Sequence, residues 1–141
     1  VSRPDWRSYF LAIAREVATR STCPRLSVGC VVELDRRILV TGYNGAPSGA
    51  PECLTHGCAL VNGGCTRTVH AEANAIASAA RHGVRLDGAT AWITHSPCAA
   101  CVMILHQAGV RQIAYETPYR LIAHLEELRE VLRIGIERQT D

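Results

Sequence analysis

From residue 70 onward the hydrophobic pattern alternates in a way few folds accommodate. His70 to His82 is Ala-rich and helical, and Gly83 ends it. Ala89–Thr94 is a short apolar run of strand character, Pro97–Ala108 a second helix stopped by Gly109, and Arg111–Glu116 another strand. Tyr119–Leu132 reads as a third helix and Arg133–Arg138 as a last strand. Strand, helix, strand, helix, strand in close succession predicts parallel strands joined by right-handed crossovers. Ahead of this block, residues 4–20 form a helix by periodicity: Trp6, Tyr9, Phe10, Ile13 and Val17 share a face, and Pro4 and Asp5 suit its first turn. Val28–Leu34 and Ile38–Tyr43 are apolar runs separated by the polar stretch Glu33–Arg37, the pattern of an antiparallel hairpin. No repeat or linker divides the 141 residues, so the expected architecture is one α/β domain over 1–141, layered α/β/α. The exception is a Gly-, Pro-, Ser- and Cys-rich insertion at about 45–69, which has little periodicity and is long for a compact domain.

Composition narrows the chemistry. A net charge of +2 argues against binding nucleic acid through a strongly basic surface. All 15 basic residues are Arg, which excludes a lysine Schiff base or a lysine-bound pyridoxal. No apolar run approaches the roughly 20 residues needed to span a bilayer, and Val1–Tyr9 lacks the apolar stretch of a secretory signal, so the expected location is the cytoplasm. In that compartment, seven cysteines near histidines read as metal ligands before disulfides.

Two short pieces carry the reaction chemistry: His70-Ala71-Glu72, and, beginning 27 residues after His70, Pro97-Cys98-Ala99-Ala100-Cys101. Both stand where a loop or strand gives way to a helix. Cysteines at i and i+3 share a helical face and can chelate one tetrahedral ion, and thiolates at a helix N-terminus are favoured by the local N–H groups and macrodipole. With His70 they supply three protein ligands and leave a fourth position for water, the mark of a catalytic zinc site. Glu72, two residues from His70, is placed to flank that water and carry protons between it, the substrate and the leaving group. A redox CxxC pair explains neither His70 nor Glu72, and a purely structural zinc would want a fourth ligand and has no use for the Glu. H-x-E followed by P-C-x-x-C is the signature of zinc-dependent nucleobase deaminases.

On these residues, and on the runs Ser21-Thr22-Cys23, Val28-Gly29-Cys30-Val31-Val32, Thr41–Gly49, Cys65–Ala77 and Thr94–Cys101, the sequence resembles the deoxycytidylate (dCMP) deaminase family of the cytidine deaminase superfamily. The resemblance implies a five-stranded mixed sheet in the order 2-1-3-4-5 flanked by helices. It implies hydrolysis at C4 of the pyrimidine with Glu72 protonating N3 and helping to expel ammonia, giving dUMP. It places the Ala71 N–H on the base O2, Asn44 on the sugar, and Arg25, Tyr119, Arg120 and, more weakly, Ser21 on the phosphate. Asn44 beside Gly45 also reads as a turn former. Relatives form homo-oligomers, often hexamers, and some are activated by dCTP and inhibited by dTTP. A small-molecule nucleotide is the expected partner, with neither membrane nor nucleic acid.

The remaining cysteines suggest a second metal. Cys30 lies inside an apolar strand and reads as a core filler. Cys23, Cys53, Cys58 and Cys65 can form a closed structural zinc site that would order the insertion, with His56 an alternative ligand; several relatives carry a second zinc in this region. Glu52 stands where the family has a His before the first insertion cysteine. Zn2+ is thus the expected cofactor, one catalytic and one structural. The core motifs leave the base open, so dCTP, 5-modified dCMP, a nucleoside or guanine remain alternative substrates, and a zinc-stabilised interaction module without catalysis remains an alternative role.

Overall fold

The computed structural model describes residues 2–119 and 123–140. Helix α1 (Trp6–Ala18) is capped by Asp5, whose Oδ1 accepts the Ser8 N–H at 2.7 Å. Strands β1 (Gly29–Leu34) and β2 (Arg37–Tyr43) follow as the expected antiparallel hairpin. Asp35 and Arg36 close it, both with positive φ, as a tight primed turn requires. Then come the short helix α2 (Cys53–His56) and the small strands β3 (Leu60–Val61) and β4 (Gly64–Cys65), all within the insertion. The rest alternates as read: α3 (Ala71–His82), β5 (Thr90–His95), α4 (Ala99–Gln107), β6 (Gln112–Thr117), α5 (Ala123–Leu132) and β7 (Gly135–Arg138).

Five strands make one mixed sheet, β2-β1-β5-β6-β7, antiparallel through β5 and parallel from β5 to β7. With the small β3-β4 hairpin set aside, the chain-order sequence of these strands is 2-1-3-4-5, as the resemblance implied. Helix α1 covers one face, where Phe10, Ala14 and Val31 are buried and Phe10 stacks on Trp92. The other face carries α3, α4 and α5. Ala75 and Ala79, Val102 and Leu105, and Leu125 share a core there with Val32, Ile93 and Ile113. Both crossovers fall on this side, as two successive right-handed βαβ units must. Cys30 is fully buried in this core, the filler role read from its strand.

Two glycines let helices lie directly on strands. A Cβ on Gly29 would sit 1.9 Å from the Ala14 carbonyl oxygen of α1, and one on Gly42 would sit 2.2 Å from the Ala71 oxygen and 2.5 Å from the Ala75 nitrogen of α3. Gly42 therefore sets how closely the first turn of α3, with Ala71 and Glu72, approaches the sheet. The insertion has a narrow neck: Gly45 and Val69 exchange backbone hydrogen bonds of 3.0 and 2.8 Å. Short elements inside it explain why its sequence shows no periodicity.

Candidate active site and metal centres

His70 and Cys98 occupy the N-cap positions of α3 and α4, both in extended backbone, and neither side chain makes the capping bond usual there. They turn towards one another instead. His70 Nδ1 lies 3.6 Å from Cys98 Sγ and 3.4 Å from Cys101 Sγ, and the three ligand atoms fall within 4.8 Å of one another. Zinc bonds of roughly 2.0 Å to nitrogen and 2.3 Å to sulfur separate the N and S corners of a tetrahedron by roughly 3.6 Å. The donor set and its spacing therefore fit zinc. The two thiols share their protons unequally: Cys101 and then His70 beside it bring Cys98 down to about 3, while Cys98 and burial push Cys101 far up. Bound zinc would hold both as thiolates.

Glu72 is 4% exposed, and burial raises its carboxyl above the usual carboxylate range. A carboxyl with raised proton affinity is suited to taking a proton and giving it up again. It shares a cavity of about 110 Å³ with His70, Cys98 and Ala71. Ala71 opens α3, so its N–H has no carbonyl partner within the helix.

The other predicted contacts divide. Asn44, Arg25 and Tyr119 line the same cavity. The Asn44 side chain is also structural: Oδ1 accepts the Val28 N–H at 2.9 Å and Nδ2 donates to the Leu26 carbonyl at 2.8 Å, which secures the cavity's 26–28 wall and leaves Nδ2 a second N–H. Both Arg25 terminal nitrogens reach the Gly63 carbonyl at 3.4 Å, tying a cavity residue to the turn between β3 and β4. Ser21 is not part of the cavity wall; its hydroxyl accepts the Cys23 N–H at 3.1 Å. Arg120 lies outside the described residues.

In the insertion, Cys53, Cys58 and Cys65 gather within 4.8 Å, with Cys53 and Cys65 Sγ atoms 3.5 Å apart. Sulfur corners of a zinc tetrahedron stand roughly 3.8 Å apart, so these three also fit. Desolvation and then the neighbouring Cys53 thiol raise Cys58 to about 11. The Thr68 hydroxyl and then the Arg67 amide lower Cys65 to about 6. Cys23 is not one of the three but lines the same cavity as Cys65, and His56 turns its Nδ1 to the Thr55 hydroxyl at 2.8 Å. Sequence reasoning assigned no role to Thr68, His95 or Ser96, which also line the cavity. Position alone could have marked His95 and Ser96, because ligands collect at the carboxyl edge of parallel strands and β5 ends at His95.

One imidazole and two thiolates for the metal, with a separate carboxylate for protons, define a zinc-dependent hydrolytic deaminase. The sequence profile described as "Cytidine and deoxycytidylate deaminase zinc-binding region" matches residues 4–117, and the chain belongs to that family. It is 39% identical over 138 residues to ComE operon protein 2 of Bacillus subtilis (strain 168), covering 98% of this chain and 73% of that one. It is 44% identical over 126 residues to the deoxycytidylate deaminase of Mycobacterium phage D29, covering 82% of this chain and 97% of that one. Among solved structures, the dCMP deaminase of cyanophage S-TIM5 in complex with dCMP and dUMP superposes with a TM-score of 0.85 at 31% identity, covering 99% of this chain and 100% of that one.

Proposed function

We propose that the protein hydrolyses dCMP to dUMP and ammonia. The observation that carries this reading is a single cavity shared by the His70 and Cys98 metal ligands, buried Glu72, and Arg25, Asn44 and Tyr119. Two relatives named as deoxycytidylate or dCMP deaminases, one solved with dCMP and dUMP, support the choice of nucleotide. His70, Cys98 and Cys101 would hold the zinc, which when bound supplies the acidity that makes water a nucleophile at neutral pH. Glu72 accepts the proton of the attacking water and delivers it to ring N3. It then passes the second proton to the amino group, which leaves C4 as ammonia. The Ala71 N–H holds the base O2, and the second N–H of Asn44 reaches the sugar. Arg25 offers its donor fork and Tyr119 its hydroxyl to the phosphate.

The proposal includes a second, structural zinc on Cys53, Cys58 and Cys65 with Cys23 as the fourth ligand, supported by the three gathered thiols and by Cys23 and Cys65 lining one cavity. It also includes a homo-oligomer acting in the cytoplasm, with regulation by dCTP and dTTP. Among the described residues no helix is long and apolar enough to cross a membrane.

The test is ammonia release from dCMP, dCTP, deoxycytidine, CMP, 5-substituted dCMP and guanine. The expected result is a kcat/KM for dCMP at least about 100-fold above deoxycytidine, since hydrogen bonds to a charged phosphate contribute about 1.5–3 kcal/mol each. Failure to deaminate any cytosine compound would overturn the assignment.

A further inference from the structure

His95 ends β5 on the cavity wall, and its surroundings fix which ring nitrogen carries the proton. Nδ1 lies 2.9 Å from Thr94 Oγ1. Thr94 is only 4% exposed, and the same oxygen already accepts the Gly29 N–H at 3.1 Å. A buried hydroxyl must still place its own proton, and among the described residues the acceptor it meets is His95 Nδ1. Nδ1 is then an acceptor, and the neutral ring carries its proton on Nε2. Burial keeps the ring below the usual histidine range, with Glu116 acting in the opposite direction.

The ring is also held in place. It packs edge-on against Tyr119, with centroids 6.3 Å apart and planes at 80°. Tyr119 in turn is clamped by Ser96, whose hydroxyl accepts the Tyr119 N–H at 2.6 Å and donates to the Tyr119 carbonyl at 2.7 Å. Ser96 is 6% exposed, so this double bond is shielded from water. One strand end thus supplies a locked tautomer from Thr94, a ring from His95 and a clamp from Ser96, immediately before the metal-binding Cys98.

We propose that His95 reads the substrate: locked as the Nε2–H tautomer by Thr94 and steadied by Tyr119, it donates one hydrogen bond to an acceptor oxygen of the bound nucleotide. The inference rests on the nucleotide reading above. Its test compares wild type, His95→Phe and His95→Gln with dCMP and with deoxycytidine. Phe keeps a planar ring and loses the donor; Gln keeps an N–H at similar reach. The expected result is a KM about ten- to hundredfold higher for His95→Phe with kcat within about threefold, and recovery of most of that loss in His95→Gln. A loss confined to dCMP assigns the acceptor to the phosphate, and a loss on both substrates assigns it to the base or sugar. An unchanged KM in His95→Phe, in an enzyme whose wild type turns over dCMP, overturns this inference and leaves the function standing. Nitrogen-15 NMR of the wild-type His95 ring gives a second readout that does not depend on turnover. A protonated Nε2 and bare Nδ1 are expected, and the reverse tautomer overturns the proposal.

Discussion

The proton-transfer role proposed for Glu72 requires that its carboxyl stay free of the metal. His70, Cys98 and Cys101 lie close enough to hold a metal, and the Glu72 carboxyl, hydrogen-bonded to Cys101, has its proton affinity raised by burial. Glu72→Gln keeps the volume and removes the acid–base function. It should lower kcat by about 10² to 10⁴ while zinc content, measured by elemental analysis, stays at the wild-type value. Full turnover by that variant would refute the proton-transfer role. This part of the site was legible in the sequence because its signals are local. HAE and PCAAC each open a helix, and ligand spacing on a helix start is a matter of a few residues. The Thr94–His95 tautomer lock was not legible, since the Gly29 amide that completes it comes from a strand 65 residues away. Ser21 shows the reverse case: family likeness marked it, and its hydroxyl, which accepts the Cys23 amide, is not part of the cavity wall.

At the level of elements, the contact between α3 and β2 positions the chemistry. A methyl at Gly42 would collide with backbone atoms of Ala71 and Ala75, and backbone of a packed helix cannot swing aside as a side chain can. Gly42→Ala should therefore destabilise the protein by about 1–3 kcal/mol, the usual cost of overpacking, read as a lower urea midpoint. It should also depress kcat in the fraction that remains folded, because relief of the clash moves the first turn of α3. A variant with wild-type midpoint and kcat would show that the approach is less tight than described. The element order was legible from periodicity, with boundaries shifted by one to a few residues: the helix read over 4–20 spans Trp6–Ala18, and that read over 97–108 spans Ala99–Gln107. The insertion's elements were not. Four residues of helix and two of strand are too few to show a period, and their placement depends on cysteines meeting across the loop.

At the scale of the whole molecule, both candidate metal clusters contribute to one cavity: His70 and Cys98 from one, Cys65 from the other. Cys65 and Thr68 belong to the cavity wall, and Arg25 is tied to the Gly63 carbonyl at the tip of the β3-β4 turn. Loss of the proposed second zinc should therefore reach the substrate through Arg25 and leave His70, Cys98 and Cys101 alone. Cys58→Ser should bind one zinc per chain where wild type is expected to bind two. Its KM for dCMP should rise more than its kcat falls, and its melting temperature should drop. Retention of two zinc ions by Cys58→Ser would remove Cys58 from the ligand set, and one zinc in the wild type would remove the second site.

The Gly45–Val69 pair has a consequence for descent with modification. Everything from 46 to 68 leaves and rejoins the domain through one pair of mutually bonded residues, so the chain is already closed at the neck just ahead of His70 and α3. Such an appendage can be lengthened, shortened or exchanged between lineages without asking the sheet to fold differently. Because its inner side faces the same cavity as Glu72, each exchange would also redraw the outer wall of the substrate site. Catalysis and selectivity can then diversify at separate rates on one inherited frame.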